Sequence, residues 1–304
     1  MFATATQRWL YEHVAKPIFF RIDPECMHDC AAWFGNILGR MSLTRWIVRA
    51  FFDFQHPALI QEILGILFVN PVGLTAGFDK NAELTDIIPS VGFGFEEVGS
   101  ITGEACDGNP KPRLWRLPKS KGLVVWYGLK NDGCEAIAER LRNKAFAIPI
   151  GTSVARTNAS TTVNAEAGIV DYAKAFRAFA EIGDYTAVNV SCPNTCGGEP
   201  FTDPKLLDRL LVVLDRIPTK KPIFLKISVD LPTQELDALI AVCDRHRVHG
   251  FIVSNLTKHY DCAAIDADER RGITNGGVSG RPVFDPSNVL ISHLYKSAGS
   301  RYVI

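Results

Sequence analysis

From Leu59 onward, short runs of consecutive apolar residues alternate with longer segments whose apolar residues recur every three or four positions. A run with no polar alternate is buried on both faces, so it reads as a strand of a parallel sheet. The periodic segment after it reads as a covering helix. The pattern predicts strands over residues 69–74, 93–98, 147–151, 185–190, 222–227, 250–254 and 301–304, with a further apolar run at 123–127. Helices are predicted over 81–90, 134–144, 169–182, 204–217, 234–246 and 286–297. Six to seven such repeats in about 250 residues fit an α/β fold of the (β/α)8 TIM-barrel type better than an open doubly wound sheet. The seventh strand stops at Ile304 and no eighth follows, so the chain reads as C-terminally truncated.

Residues 1–55 follow another pattern and form a separate unit ahead of the barrel at 56–304. They hold 11 of the chain's 30 aromatic residues. Trp33, Phe34, Ile37, Leu38 and Met41 recur at helical spacing. Leu43, Trp46, Ile47, Ala50, Phe51 and Phe54 do so again after a candidate N-cap at Ser42. Arg40, Arg45 and Arg49 lie among them. Such amphipathic helices lie in a membrane interface or pack as a lid on the following domain.

Composition narrows the partners. Lysine plus arginine equals aspartate plus glutamate at 33 each, which argues against nucleic acid. The eight cysteines form no CxxC pair and no zinc pattern, so no metal is expected and the thiols read as reduced and intracellular. No apolar run reaches the roughly 18–20 residues of a membrane span, and the N-terminus lacks a secretory signal.

Polar side chains gather where the strands end, and barrel enzymes place their sites at the carboxyl ends of strands. The fourth strand runs into Asn189-Val190-Ser191-Cys192-Pro193-Asn194-Thr195, with two amides, two hydroxyls and a thiol in seven residues. Read alone, this is equally an Asn/Ser/Pro turn. The first strand leads to Thr75-Ala76-Gly77-Phe78-Asp79-Lys80-Asn81, and the second to Gly99-Ser100-Ile101-Thr102. The fifth ends near Lys226, a buried cation that needs a partner or a ligand. The sixth ends in Ser254-Asn255-Leu256-Thr257. Residues 275–280, Asn-Gly-Gly-Val-Ser-Gly, read as a flexible loop able to wrap a phosphate or an aromatic ring.

Several of these blocks resemble dihydroorotate dehydrogenase: Asn70–Leu74 with Ala76–Asn81, Gly108–Leu114, Asn189–Thr195 and Gly276–Pro282. Asp23-Pro24-Glu25 with His28 resembles the membrane-associated, quinone-reducing class. The resemblance implies an FMN-binding barrel that oxidises dihydroorotate to orotate and passes electrons to a quinone, in pyrimidine biosynthesis. It implies peripheral attachment through residues 1–55, on the cytoplasmic face of the cell membrane by analogy. Position by position, it implies Cys192 as the base. Lys80, Asn189, Asn194 and Asn255 would bind substrate. Ala76, Gly77, Ser100, Ser153, Asn189, Lys226, Ser254, Gly277 and Gly280 would contact FMN, with Lys226 stabilising the reduced anionic ring. His28, Arg116 and Tyr127 would border the quinone path.

The chain departs from the family's pattern in places. Cys192 stands where the quinone-reducing class usually has serine. Val125 and Lys130 replace amides in the block at 125–131. Ser153 stands in place of an asparagine, and Ser100 in place of the more usual threonine. The family's phosphate-binding turns lie beyond the last residue, which predicts weak FMN binding by the 304 residues alone. Two alternatives follow: a flavin dehydrogenase of the same fold acting on another cyclic imide or pyrimidine, or an inactive fragment that binds membrane or a partner through residues 1–55.

Overall fold

The computed structural model describes residues 2–304. Its centre is a six-stranded parallel sheet of β3 (Gly73–Leu74), β4 (Phe95–Ile101), β7 (Ile150–Val154), β8 (Tyr185–Asn189), β9 (Ile223–Ile227) and β10 (Gly250–Val253), hydrogen-bonded in that order. Val303 extends it beside Gly250, in parallel. Strand order follows chain order with no reversal, which is the barrel arrangement and not the doubly wound one. The hairpin β1 (Gln61–Ile63) and β2 (Ile66–Phe68) precedes the sheet.

Inside the sheet, small residues face large ones. A Cβ on Gly73 would lie 2.3 Å from the Phe95 ring, one on Gly151 2.1 Å from Tyr185, and one on Gly250 2.8 Å from Phe224. The interior is filled this way below the strand ends. Outside, the helices Ala165–Ala178, Pro204–Asp215 and Thr233–Cys243 bury one apolar face each against the strands, around Phe176, Leu207, Leu210, Leu211, Leu236 and Leu239.

Three expectations are corrected, and one unassigned apolar run finds its place. Residues 81–90 are not a helical connection; only Ile88–Val91 is helical. The buried Asp79 carboxylate accepts the Glu83 and Leu84 backbone N–H groups at 2.9 and 2.7 Å, and Ala82 has φ of 55°, so the chain is held in a turn. The apolar run at 123–127 leaves the barrel. Part of it is β6 (Gly122–Val125), between β5 (Leu114–Leu117) and β11 (Gly277–Gly280) in an antiparallel sheet with its own core of Leu117, Val124, Ile265 and Val278. Residues 277–280 are therefore a strand and not a flexible loop. Finally, Ser42 is the first helical residue of Ser42–Phe52 and makes no cap; Thr44 Oγ1 donates to the Met41 carbonyl at 2.8 Å instead. Strand and helix ends elsewhere shift by a few residues, most at β3, which starts four later, at Ala165–Ala178, which starts four earlier, and at Arg281–Ala298, which starts five earlier.

The N-terminal helices Pro24–Gly39 and Ser42–Phe52 pack on the barrel through one face. A Cβ on Gly35 would touch Leu84 at 2.9 Å, and Gly39 sits against Asp86 and Ile87. Asp23 caps the first helix by accepting the Cys26 N–H at 2.9 Å. Glu25 is buried against Arg113, with Nε and Nη2 donating at 3.1 and 2.9 Å, and Lys111 adds a contact at 3.2 Å. Burial raises the Glu25 pKa, but the Arg113 and Lys111 contacts outweigh it and hold the carboxyl below its usual value. Breaking such a buried pair from one side costs about 3–5 kcal/mol. No described helix is long and apolar enough to cross a membrane.

Candidate active site

The register aligns the ends of adjacent strands. Asn189 on β8 pairs with Lys226 on β9, which pairs with Ile252 on β10, so these three side chains share the interior face. Ser153, on the same face of β7, reaches Ser100 at 2.8 Å between hydroxyl oxygens, and Asn189 Nδ2 donates to Ser100 Oγ at 2.8 Å. Asn189 Oδ1 accepts from Ser191 Oγ at 3.1 Å and from Asn255 Nδ2 at 3.4 Å; Asn255 Nδ2 also donates to the Ser191 carbonyl at 2.6 Å. Five residues from four strand ends thus form one polar chain.

Lys226 is buried and lies 3.8 Å from Glu97 Oε1, an ionic approach and not a hydrogen bond. Burial pushes the Glu97 carboxyl above its usual range, Lys226 offsetting this in part. Glu97 Oε1 accepts no hydrogen bond. The Gly77 N–H donates to the Gly99 carbonyl at 2.7 Å, its φ is 111°, and no atom lies within 4 Å of where a Cβ would stand. A half-satisfied buried cation, an open glycine turn and a row of hydroxyls and amides are a donor set that suits an anionic aromatic group.

Cys192 sits just past this chain. Burial pushes its thiol up to about 11; the Asn194 backbone N–H, Lys226 and Lys258 act to lower it, and Glu199 to raise it. Asn194 is held on three sides. Its Nδ2 donates to the Val125 carbonyl at 2.8 Å, its Oδ1 accepts from Lys258 Nζ at 2.9 Å, and its carbonyl accepts from Asn109 Nδ2 at 2.9 Å. The sheet β5–β6–β11 therefore touches the site through Val125 main chain, whatever its side chain.

Lys80, His28 and Tyr127 form a second cluster. Lys80 Nζ is 3.3 Å from His28 Nε2 and 4.2 Å from the Tyr127 ring centre, and His28 packs on Phe78. Burial lowers the Lys80 pKa to about 8. The Tyr127 hydroxyl is buried without a hydrogen-bond partner, and the residue lines a cavity of about 460 Å³ with Trp33, Asn36 and Lys130. Across the helix Pro24–Gly39, an apolar cavity of about 750 Å³ runs between Phe19, Phe34, Val48, Phe52 and Phe93. Trp33 and Phe78 line both cavities. The two clusters are joined through Asn109, whose N–H donates to the Tyr127 carbonyl at 2.9 Å while its side chain holds Asn194.

Of the other expected site residues, Arg116 stands apart and the rest lie around the polar chain without joining it. Arg116 donates to the Ile22 carbonyl at 2.7 Å and stacks over Phe20. Ser254 bonds Ser287 at 2.7 Å. Gly277 and Gly280 lie in β11, where added Cβ atoms would meet Leu256 at 2.8 Å and the Lys121 carbonyl at 2.5 Å. Ala76 meets Glu97 through its backbone. Sequence reasoning missed Lys258, Glu97 and Asn109, which are separated in sequence from the strand-end blocks they serve. No group of His, Cys, Asp and Glu side chains suited to a metal occurs among the described residues.

A sequence profile of the dihydroorotate dehydrogenase family matches residues 58–304. A dihydroorotate dehydrogenase (quinone) from Gloeobacter violaceus is 36% identical over 290 residues, covering 93% of this chain and 78% of the relative. One from Salinispora arenicola is 37% identical over 299 residues, covering 97% and 86%. A crystal structure of the Eimeria tenella enzyme in complex with ferulenol superposes with a TM-score of 0.79 at 28% identity, covering 93% of this chain and 79% of that one. The fold, the strand-end site and these likenesses agree: the chain belongs to the dihydroorotate dehydrogenase family, a family of flavoenzymes.

Proposed function

We propose that this chain oxidises dihydroorotate to orotate, using FMN as its flavin and a quinone as the electron acceptor, in pyrimidine biosynthesis. The observation that carries the reading is the joining of Ser100, Ser153, Asn189 and Asn255 into one network beside Lys226 and Cys192, at the ends of adjacent strands.

FMN, when bound, supplies the acceptor for a hydride from the saturated carbon pair of the substrate. Ala76, Gly77, Ser100, Ser153, Asn189, Lys226 and Ser254 would hold it, with Gly277 and Gly280 shaping the covering sheet. Lys226 would hold its cation beside the flavin and so favour the negatively charged form of the group. Asn189, Asn194 and Asn255 would orient the substrate ring and Lys80 its carboxylate. Cys192 would take the proton, its thiolate being the basic form. His28 and Tyr127 line the polar cavity at the N-terminal helices, and the apolar cavity beside it suits a quinone's hydrocarbon body, with Arg116 near its rim through Phe20. The unit 1–55 would thus be the quinone-access and membrane-facing module and 56–304 the flavin domain, with attachment peripheral.

Cys192→Ala tests the base. The variant keeps its bound flavin and loses reduction of that flavin by dihydroorotate by at least about 100-fold, as expected for loss of a general base. Reduction at the wild-type rate removes Cys192 from the mechanism. If wild-type protein reduces its flavin with another cyclic imide but not with dihydroorotate, the substituted block at Val125 and Lys130 has changed the substrate.

A further inference from the structure

The residues Arg156-Thr157-Asn158, just past β7, belong to none of the blocks that first pointed to the site. Thr157 fixes them to an outer helix: its N–H and hydroxyl donate to the buried Asp171 carboxylate of Ala165–Ala178 at 2.7 and 2.8 Å. Its two neighbours reach the other way, to the loop 192–198 that carries Cys192 and Asn194. Arg156 Nη2 donates to the Cys196 carbonyl and, at 3.3 Å, to the Gly198 carbonyl, and lies 3.5 Å from Thr195 Oγ1. Asn158 Oδ1 accepts the Cys196 N–H at 2.7 Å. Both main-chain groups of Cys196 are thus held by side chains of one tripeptide.

Arg156 is only 4% exposed, and every acceptor it reaches, including the Thr162 carbonyl at 3.0 Å, is a neutral oxygen. A buried guanidinium is costly unless its donors are satisfied, so the carbonyls of Cys196 and Gly198 are drawn to it by charge-assisted hydrogen bonds. The loop can supply both because Gly197 and Gly198 stand at φ of 75° and 65°. A Cβ on Gly197 would lie 3.1 Å from Val163 and 3.7 Å from the guanidinium nitrogens. Thr195 Oγ1, between the two carbonyls, is 3.3 Å from the Cys192 carbonyl. Asn158 also reaches Asn194: its Nδ2 donates to Asn109 Oδ1 at 3.1 Å, and Asn109 Nδ2 donates to the Asn194 carbonyl at 2.9 Å.

We propose that Arg156 and Asn158 are positioning residues for the reaction. Arg156 sets the path of the loop after Cys192, and Asn158 ties that loop to the Asn109–Asn194 contact, so base and substrate amide keep a fixed relation to the strand ends. The inference rests on the reading of Cys192 as the base and Asn194 as a substrate contact. A displacement of about 1 Å in such groups costs a reaction about 100-fold, which sets the scale of the effect.

The test pairs amide hydrogen exchange with single-turnover flavin reduction in the flavin-loaded full chain. In Arg156→Met the Cys196 N–H keeps its own acceptor, Asn158, so faster exchange there reports movement of the loop and not loss of that bond. Its exchange rises at least about tenfold while the amides of β7 and β8 exchange as in wild type. The limiting rate of flavin reduction by dihydroorotate falls about 10- to 100-fold with bound flavin unchanged. Arg156→Lys, which keeps the cation but offers one nitrogen in place of the fork, gives intermediate values for both. Asn158→Ala lowers the same limiting rate, and in combination with Arg156→Met the loss is smaller than the product of the single effects, because both act on one loop. Cys196 exchange at the wild-type rate in folded Arg156→Met overturns the proposal, as does a limiting rate within about twofold of wild type. Should that variant not fold, the same outcomes in Arg156→Lys overturn it. Faster exchange in β7 and β8 in step with the loop is a general loss of stability and overturns it too. Failure of the base reading shows separately, as substrate-driven flavin reduction surviving in Cys192→Ala while the exchange result stands.

Discussion

Lys80 illustrates how burial alone sets the chemistry of a residue. Desolvation lowers its pKa to about 8, with Asp29 the largest opposing influence. The ammonium is therefore present below about pH 8 and is lost as pH rises through it, well before an exposed lysine would deprotonate. If Lys80 meets the substrate carboxylate, orotate affinity is level below that pH and declines above it, by up to about tenfold per unit. Titration of orotate binding between pH 7 and 9.5 checks this; Lys80→Met should abolish the slope, and a slope unchanged in that variant assigns it to another group. Asn189, Cys192 and Asn194 could be singled out in sequence because they sit in one polar block after an apolar run. Lys258 could not, because its reach to Asn194 depends on how three loops meet.

Among the elements, the strands were legible and their surroundings less so. Continuous apolar runs at 185–190, 222–227 and 250–254 allow little besides a buried parallel strand, and β8, β9 and β10 lie there. The run at 123–127 has the same local pattern but folds into the covering sheet, because its partners β5 and β11 are supplied from outside the βα rhythm. The turn at 79–84 was missed because a single carboxylate, Asp79, overrides the helical spacing. One face of the N-terminal helices packs on the barrel, as a lid would, and the other leaves Phe51 exposed and Trp33 and Trp46 each 67% exposed, with Phe54 exposed just beyond the second helix. An exposed aromatic face of this kind suits the headgroup region of a bilayer. Trp33→Ser with Trp46→Ser should reduce co-sedimentation with phospholipid vesicles several-fold while leaving the fold intact, since neither side chain is in the core; undiminished binding contradicts a membrane role for this face.

At the scale of the whole molecule, an apolar cavity and a polar one lie along the helix Pro24–Gly39 and share Trp33 and Phe78. The Glu25–Arg113 pair locks that helix to the loop before β5, so the cavities and the covering sheet are held in one frame. The barrel class followed from strand count and spacing, whereas this coupling did not, because it arises from packing between segments about 90 residues apart. The central claim is that this site oxidises dihydroorotate and delivers the electrons to a quinone. Anaerobic mixing of flavin-loaded protein with dihydroorotate, followed by a soluble quinone, tests it most directly. The account predicts bleaching of the flavin with one orotate formed per flavin, then recovery of the colour on adding quinone. A flavin that stays oxidised, with no orotate formed, contradicts it.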